Sequence, residues 1–175
     1  MRRSFATTVY NRPFMADAKK TRWAWTLGTF FGAGYGRPGP GTWGSVAAVL
    51  LWAAAARAIP TERQWWICLA AAAAVTLIGI AASNVVARES GLKDPQFVVI
   101  DEVAGQLLTL VGAAVTWKTL LAGLILFRAF DIVKPPPIRQ MERIPPAGAG
   151  IMLDDVGAGI YAWMVMQILI KFHWL

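Results

Sequence analysis

The chain is poor in the residues on which many active sites depend. Its 175 residues include one cysteine, Cys68, and one histidine, His173. A single thiol inside an apolar run excludes a disulfide framework and a cysteine-built metal centre. A lone histidine third from the end of the sequence argues against a hydrolase that works through imidazole. Charge is also scarce: 15% of the residues are charged and only ten are acidic, while 57% are hydrophobic and nine are tryptophan. That balance argues against an ordinary soluble domain and for one membrane-embedded domain, since tryptophan favours membrane–water interfaces. The net charge of +7 does not point to nucleic acid, because no run of bases lies on a polar helix or sheet face.

The pattern along the chain supports an all-α membrane protein. Residues 1–22 carry six bases and one acid, Asp17. No apolar core follows the first arginines, so a mobile basic cytoplasmic tail is expected rather than a cleaved export signal. Each well-placed base would hold such a tail near anionic lipid by roughly 1 kcal/mol. Residues 23–175 then form the embedded domain. Its start, residues 26–45, is rich in glycine and broken by Pro38 and Pro40, so it reads as a loop or re-entrant segment. Free N–H groups at the following helix start, with the Thr42 and Ser45 hydroxyls and Arg37 nearby, would bind a phosphate or simply cap the helix.

Four to five apolar helices are expected, at 44–59, 65–86, 103–115, 119–133 and 157–172. Several fall short of the ~20 residues that span a bilayer, and 103–133 reads alternatively as a tight hairpin. The fourth should stop at Pro135-Pro136-Pro137, because proline lacks the N–H and restricts its predecessor. If all five span, thirteen of the 17 bases fall on one face, and four (Arg57, Arg63, Lys118 and Lys171) on the other. The basic face, with the N-terminus, should be cytoplasmic.

Five carboxylates lie at the cytoplasmic ends of these segments: Asp101, Glu102, Asp131, Asp154 and Asp155. Acids in apolar surroundings are costly and persist where they pair or bind cations. Arg128, Asp131 and Lys134 recur every three residues and so share a helix face. Arg139 follows the prolines. Five acids against Arg128, Lys134 and Arg139 leave a charge of −2, which one divalent ion would balance. Oxygen ligands without cysteine or histidine select a hard cation, Mg²⁺ where phosphate is the substrate. Such an ion would polarise a phosphoryl group and prepare an attacking water, with the bases steadying the transferring oxygens. Taken singly, each residue reads first as an interfacial acid or a snorkelling base, and Asp154-Asp155 would suit the first turn of a helix; the set together points to a site.

Four ordered stretches resemble the phosphatidylglycerophosphatase A family of bacterial membrane lipid phosphatases: PGTWGS at 40–45, VIDEVAGQ at 99–106, FRAFDIVKPPPI at 127–138 and GAGIMLDDVGAG at 148–159. The resemblance covers roughly residues 23–172. It implies a compact helical fold in the inner membrane, with a cytoplasmic site and Mg²⁺-dependent hydrolysis of phosphatidylglycerophosphate to phosphatidylglycerol. The family's acidic positions fall on Asp101, Glu102, Asp131, Asp154 and Asp155, and its basic ones on Arg128 and Lys134, without departure. The expected mechanism is attack by metal-activated water with one carboxylate as base; an aspartyl-phosphate stays open as an alternative. The Asp-x-Asp start, the Cys-x-x-x-x-x-Arg loop and the Asp-Gly-x-x-Ala-Arg signature of other phosphoryl-transfer enzymes are all absent. A small transporter or channel is the rival, but it would distribute charge through the membrane depth. Lipid entry is expected near Gly105 or Gly157, and no obligate protein partner is called for.

Overall fold

The computed structural model describes residues 20–175, so the expected basic tail lies almost wholly outside the described residues. Within them the chain is all-helical, with seven α-helices and no strand. They are α1 (Arg22–Gly28), α2 (Pro40–Ala55), α3 (Thr61–Ser90), α4 (Ile100–Thr109), α5 (Trp117–Val133), α6 (Ile138–Met141) and α7 (Ala147–Lys171). The glycine-rich segment resolves into α1, a 3-10 turn at Ala33–Tyr35 and an irregular stretch before α2. Pro40 takes the first helical position of α2, where its missing N–H costs nothing, and Gly39 before it has a φ of 70°.

The helix ends follow local chemistry, with departures from the expected bounds, α2 among them at Pro40–Ala55 instead of 44–59. Thr116 and Thr119 form a reciprocal cap that starts α5, and Pro135 stops it as expected. Helix α3 is longer than its apolar run, reaching from Pro60 to a left-handed Gly91. The expected third segment is a ten-residue helix that starts earlier, with Asp101 and Glu102 in its first turn. Helix α7 begins at Ala147, ten residues before the expected start, so Asp154 and Asp155 occupy its interior rather than its first turn. Glycine is a poor helix former, but Gly148 and Gly150 are needed here. A Cβ on Gly148 would strike the backbone of α3 at Ile80 and Asn84, and one on Gly150 would strike the Glu142 carbonyl. Asn84 Oδ1 accepts a 2.7 Å bond from Gly148 N, serving one of the orphan donors at the start of α7.

Helix α4 is the axis of the bundle, buried along most of its length and packed against α2, α3, α5 and α7. It crosses α7 at two glycines, where a Cβ on Gly159 would lie 2.6 Å from the Gly105 carbonyl oxygen. Such close approach of small residues is how helices associate where no hydrophobic force separates them from lipid. Phe127 of α5 also packs against Gly105. Helix α1 is tied to the end of α3, with Thr21 and the Trp25 indole donating to Glu89.

The outside of the bundle is apolar. Helices α3 and α7 have the length and hydropathy to cross a membrane, and only 28% and 39% of their most apolar windows are buried, unlike core helices of a soluble protein. Leu77 is 71% exposed and Leu50 64%. Exposed tryptophans gather at both ends: Trp23 and Trp43 at one, Trp65, Trp66, Trp117 and Trp174 at the other. Together these features mark a membrane-associated protein.

Candidate active site

Helices α2, α4 and α7 begin at one end of the bundle, and α3 and α5 finish there. The charged residues meet at that end around a cavity of about 470 Å³. Asp101, Glu102, Arg128, Asp131, Lys134, Asp154 and Asp155 all line it, so seven of the ten residues expected at the site converge.

The Gly105–Gly159 crossing explains part of the convergence. Asp101 and Asp155 lie four residues, about one turn, before these glycines on their own helices, so the close crossing sets the two carboxylates side by side. Ligand oxygens of Asp101, Glu102 and Asp155 fall within 4.8 Å of one another. One oxygen on each of them, Asp101 Oδ1, Glu102 Oε2 and Asp155 Oδ2, is buried without a hydrogen-bond partner. Three converging carboxylates with unpartnered buried oxygens suit a hard divalent cation, so the residues present fit Mg²⁺.

The cations are held by the remaining acids. Arg128 Nη1 donates to Asp131 Oδ2 at 2.6 Å and lies 3.8 Å from Glu102 Oε1, while its Nε is buried and unpartnered. Lys134 does not continue the face shared by Arg128 and Asp131. It is the left-handed C-cap of α5, with φ of 44°, and reaches across to Asp154 Oδ2 at 2.5 Å. Burial alone would lower the Lys134 ammonium, but this bond and the nearby Asp155 and Glu142 raise it above its ordinary value, so it stays charged. Asp154 Oδ1 is left free and buried.

The structure does not bring the other three expected residues to the cavity. Thr42 is exposed on the first turn of α2. Ser45 is fully buried and its hydroxyl donates 3.0 Å back to the Gly41 carbonyl, as serine does inside a helix. Arg139 is exposed on α6, which anchors itself through Ile138 instead. The helix start contributes backbone: a Cβ on Gly41 would collide with the Glu102 carboxylate and Arg128.

The cavity also recruits Lys93, Asp94, Gln96 and Glu142, which had no signal beyond ordinary polar loop composition. Counting these, seven acids face three bases, a formal charge of −4 instead of the expected −2. Nor do Gly105 and Gly157 border an opening. Gly105 is sealed by Phe127 and the Asp155 carbonyl, and Gly157 by Met141 and Ile138.

Comparison with known proteins agrees with this chemistry. The phosphatidylglycerophosphatase A family model matches residues 26–170. A Haemophilus influenzae phosphatidylglycerophosphatase A is 36% identical over 141 residues, covering 80% of this chain and 84% of that protein. The Escherichia coli phosphatidylglycerophosphatase A is 32% identical over 149 residues, 85% of this chain and 83% of its own. A Bacteroides thetaiotaomicron protein, provisionally named a phosphatidylinositol-3-phosphatase, is 35% identical over 145 residues, 81% of this chain and 90% of its own. No solved structure matches the chain. With the match running through every helix that lines the cavity, the chain belongs to the phosphatidylglycerophosphatase A family of enzymes.

Proposed function

We propose that this protein is a Mg²⁺-dependent phosphatase that hydrolyses phosphatidylglycerophosphate to phosphatidylglycerol and inorganic phosphate at the cytoplasmic face of the bacterial inner membrane. The observation that carries the reading is the cluster of Asp101, Glu102 and Asp155, with unpartnered buried oxygens, beside an arginine and a lysine at one end of an apolar bundle. Among the described residues the cavity charges gather at that one end, which favours a surface enzyme over an ion pathway through the membrane. The basic residues at the helix ends around the cavity favour a cytoplasmic position for this end and for the N-terminus. Helices α3 and α7 span fully, with α2 and α5 beside them and α4 enclosed.

Asp101, Glu102 and Asp155 would hold the Mg²⁺, which supplies Lewis acidity toward the phosphoryl group when bound. Arg128, fixed by Asp131 and Glu102, presents its free Nε–H to a phosphoryl oxygen and so stabilises the charge that develops there. Asp154 is oriented by Lys134 through one oxygen and offers the other to an attacking water. The water oxygen bonds to phosphorus, its proton passes to Asp154 Oδ1, and the bond from phosphorus to the glycerol oxygen breaks. That alkoxide takes a proton from solvent, Asp154 returns its proton to solvent, and phosphate leaves.

The Bacteroides relative's name suggests a second reading, in which the leaving alcohol is a phosphoinositide ring. The test is the purified protein in detergent, given phosphatidylglycerophosphate or phosphatidylinositol 3-phosphate, with Mg²⁺ or with chelator. Phosphate release from the first that stops with chelator and returns with Mg²⁺ is expected. No release above background from it would refute the proposal, and release from the inositide alone would select the second reading.

A further inference from the structure

The charged cavity accounts for one phosphate, yet the proposed substrate carries two. Its internal phosphodiester, between the two glycerols, is a second anion that needs a cation of its own, and Lys134 in the cavity is already paired with Asp154. The surface beside the cavity offers a different environment. Gly39, Pro40 and Gln96 form a shared wall between the cavity and a second concavity under the Gly34–Pro40 loop. That concavity in turn shares Gly36 and Arg37 with a shallow groove on the outer face of α2, lined by Trp43, Val46, Ala47 and Leu50. The three lie side by side, and Arg37 lines both of the outer ones. Among the described residues it is the one charged residue lining either outer concavity, and it forms no ion pair with any of them.

The apolar part has the direction a lipid needs. Trp43, Val46, Ala47 and Leu50 are spaced three and four apart, so they form one stripe running about 10 Å down α2 from the charged end. Trp43 is 48% exposed and Leu50 64%. Gly36 lets the loop lie flush on this stripe, since a Cβ there would enter the Trp43 ring.

We propose that this path is the lipid half of the substrate site: Arg37 binds the internal phosphodiester, and the α2 stripe receives the acylglycerol. The inference rests on the lipid-phosphatase reading and deepens it. The order of environments matches the order of groups in the substrate: acidic, metal-binding cavity for the terminal phosphate, a single arginine for the diester, apolar stripe for the chains. Arginine suits a phosphodiester because its fork can donate two parallel bonds to the non-bridging oxygens.

The test measures competition against phosphatidylglycerophosphate hydrolysis by two soluble competitors. One is the fully deacylated substrate, which keeps the diester; the other is glycerol 3-phosphate, which lacks it. Wild type should bind the deacylated diester about tenfold more tightly or better. Arg37→Gln should bring the two inhibition constants within about threefold of each other, with that for glycerol 3-phosphate unchanged, which also reports an intact fold. Arg88→Gln, in the groove that adjoins the cavity at Lys93 and Ala147, should leave the difference in place. Ala47→Trp should raise the KM for the acylated substrate about tenfold and leave both soluble competitors unaffected. Equal inhibition constants in wild type, an unchanged difference in Arg37→Gln, or a loss that follows Arg88 would overturn the inference while leaving lipid hydrolysis intact. Absence of lipid hydrolysis by wild type would overturn the proposed function, and this inference with it.

Discussion

Gly159→Ala should cost about a hundredfold in turnover while leaving the bundle folded. The added Cβ would lie 2.6 Å from the Gly105 carbonyl oxygen and 3.0 Å from Gly105 Cα, where ordinary contact begins at 3.4 Å. Both are backbone atoms, so no side chain can turn aside, and α4 and α7 must part by roughly 1 Å in a close-packed interior. Asp101 and Asp155 ride on those helices one turn away, and the displacement passes to their carboxylates. A misplacement of ~1 Å at reacting groups is worth about 10²-fold in rate. Stability should change less, because overpacking costs ~1–3 kcal/mol while replacing glycine by alanine inside a helix returns ~1 kcal/mol. The assay is phosphate release in detergent with saturating Mg²⁺, beside far-ultraviolet circular dichroism and thermal unfolding. Gly91→Ala is the contrast: Gly91 has a φ of 70° and open space around it, so alanine there should cost ~1 kcal/mol in backbone strain and leave turnover unchanged. Turnover of Gly159→Ala within threefold of wild type would refute the argument that this crossing sets the site.

Asp155→Asn and Asp131→Asn should each lower turnover about 10²-fold or more with the fold retained, the first also raising the Mg²⁺ concentration for half-maximal rate; activity within threefold would remove that residue from the catalytic set. Lys134→Ala deprives Asp154 of its 2.5 Å partner. Because the lysine side chain is 27% exposed, the loss should be ~1–2 kcal/mol rather than that of a fully buried pair, seen as a Tm lower by a few degrees, with turnover down about tenfold. Asn84→Ala frees the Gly148 N–H at the start of α7 and should cost ~1 kcal/mol in thermal unfolding, with turnover changed less than about threefold.

The sequence was most informative where its chemistry conflicted with its surroundings. Asp101, Glu102, Arg128, Asp131, Lys134, Asp154 and Asp155 stand out because charge beside long apolar runs is expensive, and all seven line the cavity. Lys93, Asp94 and Glu142 do the same without such contrast, in stretches where polar residues are ordinary, so nothing local distinguished them. Thr42 and Ser45 were misleading for the opposite reason. Hydroxyls at a helix start are sound phosphate candidates locally, but the rotation of α2 in the bundle turns backbone Gly41 to the cavity and leaves Ser45 bonded to its own helix.

The sequence by itself determined that the chain is helical and apolar outside, that the proline run ends α5, and which acids and bases stand out beside apolar runs. These depend on interactions within a few residues or on the solvent each residue type tolerates. Tertiary structure decided the rest. Helix α7 starts at Ala147 because Gly148 and Gly150 are held against α3 and the Glu142 backbone, a gain no helix propensity contains. Lys134 leaves the face of Arg128 because a left-handed cap turns it toward Asp154, on a helix twenty residues later. The meeting of Asp101 with Asp155 depends on how closely two helices cross at Gly105 and Gly159. That distance is set by the absence of two side chains more than fifty residues apart, and only packing brings them together.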